Sequence, residues 1–116
     1  MATTPEGAVK KAALKLLASA GAFHFMPVSN GMGRMGIPDI ICCLQGRFVA
    51  VEAKAGKGRP TQLQLKALRQ IDEAGGVALV INETNLDYLK ECLADVQQAR
   101  SNWRIFDRPQ KDLEQG

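Results

Sequence analysis

Pro38-Asp39-Ile40-Ile41-Cys42-Cys43-Leu44-Gln45-Gly46-Arg47-Phe48-Val49-Ala50-Val51-Glu52-Ala53-Lys54 is the stretch that decides how this chain folds. The strand formers Ile40, Ile41 and Leu44 precede Gln45-Gly46, and Phe48, Val49 and Val51 follow it. Two β runs, 38–44 and 47–54, are therefore predicted. If Gln45-Gly46 is a two-residue turn, Leu44 lies opposite Arg47 and paired residue numbers sum to 91 along the ladder. Asp39 then lies directly opposite Glu52. Opposed residues share a face, with Cβ atoms about 4.5–5.5 Å apart. Lys54 shares the face of Glu52, while Val51 and Ala53 turn to the other side. A bulge at Gly46 would shift the register by one residue and break the arrangement.

Two carboxylates and one ammonium thus meet near the open end of a hairpin. Like charges directly opposed in a sheet are destabilising, and a divalent cation is the natural compensation. Asp39 and Glu52 offer hard oxygen ligands that suit Mg²⁺, with Mn²⁺ as a substitute, and the backbone carbonyl of Ala53 adds a third protein ligand. Lys54 beside such an ion can orient a water or offset the charge of a phosphate. The competing reading is a pair of solvated carboxylates, with Lys54 merely pairing with Glu52.

Outward from the hairpin, residues 6–20 read as a helix in which Ala8, Ala12, Leu14, Leu16, Leu17 and Ala20 are apolar and Lys10, Lys11 and Lys15 cluster elsewhere. Gly21 stops it. Residues 22–28 look like a short strand whose end Pro27 places at an edge or bend. Residues 29–37 form a glycine-rich loop, and 55–60 a basic one. Thr61 is a good N-cap, Gln64 completes a capping box, and Leu63, Leu65, Leu68 and Ile71 follow as an apolar face up to Gly75-Gly76. Val77 to Ile81 is wholly apolar, as in a strand buried on both faces. A last helix covers roughly 85–99. In 101–116, Trp103, Ile105 and Phe106 suggest a short strand before a polar end. The order α-β-β-β-α-β-α predicts an α/β fold, a mixed β-sheet flanked by helices, in one domain spanning 1–116 with its core in about 6–99.

At 116 residues one modest core is the limit, which excludes a doubly wound dinucleotide enzyme, a (β/α)₈ barrel or a two-domain kinase. The net charge is only +3, but residues 1–69 carry +7 and residues 70–116 carry −4. That asymmetry suggests an anionic partner for the first half. Three cysteines without CxxC or Cys/His spacing offer no zinc site and fit a reduced, cytoplasmic protein. No run of 18 apolar residues and no signal-peptide pattern occur, so no membrane partner is expected. Gly31-Met32-Gly33-Arg34-Met35-Gly36 matches G-x-G-x-x-G literally, but Ile37-Pro38 follows it and the next segment reads as β, so no dinucleotide or other organic cofactor is expected.

Gly36-Ile37-Pro38-Asp39-Ile40-Ile41, then Arg47-Phe48-Val49-Ala50-Val51-Glu52-Ala53-Lys54, then Arg59-Pro60-Thr61-Gln62-Leu63-Gln64, and later Ala74-Gly75-Gly76, resembles the virus-type replication-repair nuclease (VRR-NUC) branch of the PD-(D/E)xK nuclease superfamily. The resemblance covers roughly residues 6–82. It implies a restriction-endonuclease-like fold and a small, usually homodimeric, Mg²⁺-dependent endonuclease that hydrolyses phosphodiesters in branched DNA such as Holliday junctions. It places metal-binding acids at Asp39 and Glu52 and the catalytic lysine at Lys54. It adds an acid of the first helix, here Glu6, and a glutamine after the third strand, here Gln64 with Gln62 as its neighbour and competitor. A purely capping role for Gln64 is the structural alternative.

On that reading the glycine-rich loop lets a DNA backbone approach, with Arg34, Ser29 and Asn30 on phosphates, and Lys57 and Arg59 grip phosphates beside the cut. Turn-making and solvated-loop roles are the alternatives. Lys10, Lys11 and Lys15 are either a DNA-facing stripe or a solvated helix face. Stretch 34–59 holds five basic residues and only two acids, the metal ligands, which makes it a candidate phosphate-binding surface. The expected function is a Mg²⁺-dependent structure-specific DNA endonuclease in the cytoplasm of a bacterium or a phage-infected host cell. The alternatives are a nickase or another endonuclease of the superfamily, and a non-catalytic DNA-binding module with the same fold.

Overall fold

The structure, a computed structural model, describes residues 4–28 and 35–98. Its elements are α1 (Pro5–Ser19), β1 (Phe23–Phe25), β2 (Ile40–Leu44), β3 (Arg47–Ala53), α2 (Gln62–Glu73), β4 (Val77–Ile81) and α3 (Leu86–Gln98). The four strands form one sheet in the order β1-β2-β3-β4. The first three are antiparallel neighbours, and β4 runs parallel to β3. Because β3 and β4 are parallel, the chain needs a crossover between them, and α2 supplies it.

The hairpin turn decides the register. Gln45 and Gly46 have φ of 52° and 80°, the left-handed pair that a two-residue type I′ turn requires. Leu44 pairs with Arg47 and Ile40 with Val51. The ladder therefore runs at the predicted sum, without a bulge.

Alternation along the strands divides the residues between two layers. Ile40, Cys42 and Leu44 of β2 join Val49, Val51 and Ala53 of β3 in one buried cluster with Leu79 and Ile81. Val9, Ala13 and Leu17 of α1 and Leu89, Leu93 and Val96 of α3 close over it. On the opposite face, Ile41 and Phe48 of the sheet and Ala67 and Ile71 of α2 line an apolar groove of about 380 Å³. Cys42 is buried and Cys43 exposed, as adjacent strand residues must be. Burial pushes the Cys42 thiol up to about 11, so it stays protonated as a small core residue.

Caps fix the helix ends. Thr4 accepts from the Gly7 N–H at the start of α1, and Pro5 occupies the first helical position. At α2 the Thr61 hydroxyl accepts from Gln64 N–H at 3.2 Å while Gln64 Oε1 accepts from Thr61 N–H at 2.8 Å, a complete capping box. Gly36 sits against this helix start with φ of 78°, so close that a Cβ would collide with the Leu63 carbonyl. Only glycine can make that approach.

Several expectations need correction. The strand expected at 22–28 pairs over Phe23–Phe25 alone. Pro27 follows that stretch and has no N–H to extend the ladder. Pro38 and Asp39 precede β2, and Lys54 follows β3. β4 is not buried on both faces: among the described residues it is an edge strand, and Val80 is 37% exposed. The apolar face of α1 runs through Val9, Ala13 and Leu17, not Ala8. On α2, Ala67 and Leu68 are buried, whereas Leu63 in the first turn is exposed. The strand suggested by Trp103, Ile105 and Phe106 lies outside the described residues. Among the described residues, no helix is long and apolar enough to cross a membrane.

Candidate metal and phosphate site

The hairpin's open end lies beside the first turns of α1, and five charged side chains meet there. Asp39 and Glu52 lie just beyond the last ladder pair, Ile40 and Val51, and each carboxylate accepts a backbone N–H from the other strand end. Asp39 N–H donates to Glu52 Oε1 at 3.0 Å, and Ala53 N–H donates to Asp39 Oδ2 at 2.9 Å. Each carboxylate thereby spends one oxygen on the opposite strand end and keeps one for the site.

The two remaining oxygens each face a lysine. Lys10 Nζ stands 3.7 Å from Asp39 Oδ1, and Lys54 Nζ stands 3.7 Å from Glu52 Oε2. Lys54 Nζ also stands 3.7 Å from Glu6 Oε1. These separations let charges attract, but they exceed the roughly 2.7–3.2 Å of a hydrogen bond. Glu52 is fully buried, and its Oε2 has no hydrogen-bond partner.

Burying an ionised carboxylate costs several kcal/mol unless it is compensated. Burial, reinforced by the adjacent Asp39, pushes the Glu52 carboxyl up to about 7, although Lys54 and the Asp39 N–H pull it back down. A buried acid raised toward neutrality, in a charged cluster at the end of a sheet, makes this a candidate functional site.

The donor set fits a hard divalent cation. Mg²⁺ takes carboxylate oxygens from proteins, and Glu52 Oε2 is a buried acceptor with no hydrogen-bond partner. Among the described residues, no three His, Cys, Asp or Glu side chains come together as a metal-binding group. Glu6 is directed at Lys54 instead of joining the pair. Ala53 closes β3 beside the carboxylates, its methyl in the core.

The other candidate residues divide clearly. Glu6 is brought in by the docking of α1. Gln64 is not: its hydrogen bonds go to Thr61, and none reaches Asp39, Glu52 or Lys54. The helix cap engages the side chain that the resemblance assigns to chemistry, so its observed role is structural. Lys57 and Arg59 stand exposed on the loop after Lys54. That loop is pinned by Gly56 N–H, which donates to Glu83 Oε1 at 2.8 Å. Ser29, Asn30 and Arg34 lie outside the described residues. His24 is half-buried, with Nδ1 at 3.0 Å from the Ala22 carbonyl, far from general-base work. Lys10 entered the sequence reading only as one of three helix lysines, and its place beside Asp39 was missed. Its spacing of four from Glu6, one helical turn, was the available signal.

No known protein family matches this chain, and no curated protein shows significant similarity to it. The resemblance to VRR-NUC nucleases therefore stands on the motif residues.

Proposed function

We propose that the chain is a VRR-NUC-like, metal-dependent DNA endonuclease that hydrolyses phosphodiester bonds in branched DNA such as Holliday junctions. The observation that carries this reading is the buried Glu52 Oε2, which has no hydrogen-bond partner and stands 3.7 Å from Lys54, on a carboxylate that accepts from the Asp39 N–H. A pure binding module gains nothing from two opposed carboxylates near a phosphate.

In this mechanism Asp39, Glu52 and the Ala53 carbonyl would hold Mg²⁺ or Mn²⁺. The ion, when bound, lowers the pKa of a coordinated water and polarises the phosphoryl oxygen. Lys54, oriented by Glu6 and Glu52, stabilises the negative charge that develops on the phosphate. Lys57 and Arg59, with Arg34, Ser29 and Asn30 of the glycine-rich loop, bind flanking phosphates. Two copies related by a two-fold axis bring two such sites to two strands. The small size and the motif resemblance support this homodimer, and a strictly monomeric mass in light scattering at active concentrations would overturn it. A cytoplasmic location agrees with the free thiols.

Cleavage of a four-way junction and of a linear duplex, with Mg²⁺ or with EDTA, tests the reading. Wild type should cut the junction only with metal, and Asp39→Asn and Lys54→Ala should not cut it. Full activity in EDTA or in Asp39→Asn sinks the metal mechanism. Metal-independent binding without cleavage identifies a non-catalytic module. Nicking of one strand, or cutting of the linear duplex, points to another endonuclease activity of the same superfamily.

A further inference from the structure

Lys10 occupies a position in the charged cluster that the proposed chemistry does not use. It sits one turn beyond Glu6 on α1, half-buried, with its ammonium 3.7 Å from Asp39 Oδ1. That oxygen is the one Asp39 keeps free, because Oδ2 already accepts from Ala53 N–H. Lys10 therefore stands in front of the atom that would face a cation, as Lys54 stands in front of Glu52 Oε2. At 3.7 Å it neutralises the carboxylate without closing a hydrogen bond, so little directional bonding is lost when it leaves. A lysine is suited to such an exchange, since its ammonium is a point charge on a flexible four-carbon stem.

We propose that Lys10 is a second phosphate-binding residue of this site, held on Asp39 Oδ1 while no cation is bound and released to a DNA phosphate when one is. The inference rests on the nuclease reading above. Lys10 opposes cation binding in the absence of DNA, since it holds a positive charge at the oxygen the cation needs. With DNA present it becomes an added contact beside the cut, and the site gains affinity for metal and DNA together.

The test uses Lys10→Met, which keeps the length and helix propensity of the side chain without its charge, with Lys10→Arg as the conservative variant. Lys90→Met, on the exposed side of α3, controls for the loss of one positive charge. Calorimetric titration with Mn²⁺ in the absence of DNA should show about thirty-fold tighter binding by Lys10→Met, the effect of removing one unit charge about 4 Å from a divalent cation in a hydrated site. Junction cleavage by the same variant should show a KM raised several-fold with kcat nearly unchanged. The slope of log affinity against log salt should become shallower by about one. Lys10→Arg should restore the wild-type KM, and Lys90→Met should match wild type throughout. Unchanged Mn²⁺ affinity together with unchanged KM in Lys10→Met overturns the proposal, as does a fall in kcat at constant KM. If the wild type itself neither binds Mn²⁺ nor cleaves, the nuclease reading fails first, and this inference fails with it.

Discussion

The backbone N–H of Asp39 donates to Glu52 Oε1 at 3.0 Å, so a buried carboxylate is fixed from the opposite strand end and not from its own neighbours in sequence. Burial, reinforced by the adjacent Asp39, pushes this carboxyl up to about 7, against 4.5 for an ordinary glutamate. The folded state holds its proton where the unfolded chain has already released it. Stability contributed by Glu52 is therefore fully present below pH 4.5 and is lost as pH rises to about 7. The loss should be on the order of 1–3 kcal/mol. Urea unfolding in EDTA between pH 5 and pH 8, compared with Glu52→Gln, measures it: the variant should lack this component of the slope.

Gly36 and Gly21 separate two kinds of glycine requirement. Both have φ near 78°, but a Cβ at Gly21 meets nothing within 4 Å, whereas one at Gly36 meets the Leu63 carbonyl. Gly21→Ala should cost about 1 kcal/mol for the left-handed backbone alone. Gly36→Ala adds a steric clash and should cost at least about 2 kcal/mol. Equal losses in denaturant titrations of the two variants would show that the loop yields freely at α2.

The capping box gives Gln64 a structural task that can be tested apart from catalysis. Thr61→Ala should cost about 1 kcal/mol and Gln64→Ala about 0.5–1 kcal/mol. Gln64→Glu preserves the capping geometry and should keep both stability and junction cleavage. A stable but inactive Gln64→Glu protein would assign the amide to the chemistry after all.

Lys57 and Arg59 are exposed on a pinned loop, and their charges are available to phosphates. Removing them together with Arg34 should flatten the salt dependence of DNA binding by about one unit of slope per residue. Fluorescence anisotropy across a salt series measures this. Unchanged binding by the triple alanine variant would place the DNA on another face.

What could be read from the residues was whatever short-range geometry dictates. Gln45-Gly46 supports a two-residue turn, and from there the period of two carries Asp39 to Glu52 without further information. Thr61 and Gln64 marked a helix start for the same local reason. Burial depends on neighbours distant in the chain, and there the reading fell short. The apolar run Val77 to Ile81 is the composition of an inner strand, yet among the described residues β4 lies at the sheet's edge. Lys10 read as one of three lysines on either a DNA-facing stripe or a solvated helix face, and only the docking of α1 placed it against Asp39.

The paired backbone bonds of Asp39 and Glu52 act as a buckle on the hairpin's open end, since each carboxylate clasps the other's strand through an oxygen it does not offer to the site. Chemistry and architecture therefore draw on the same two side chains. Truncating either one to alanine unfastens the buckle and removes a proposed metal ligand in a single stroke, so lost activity would say nothing about which role mattered. Asparagine and glutamine leave one carbonyl oxygen to keep the strands clasped, and only such amide variants can separate the fastener from the ligand.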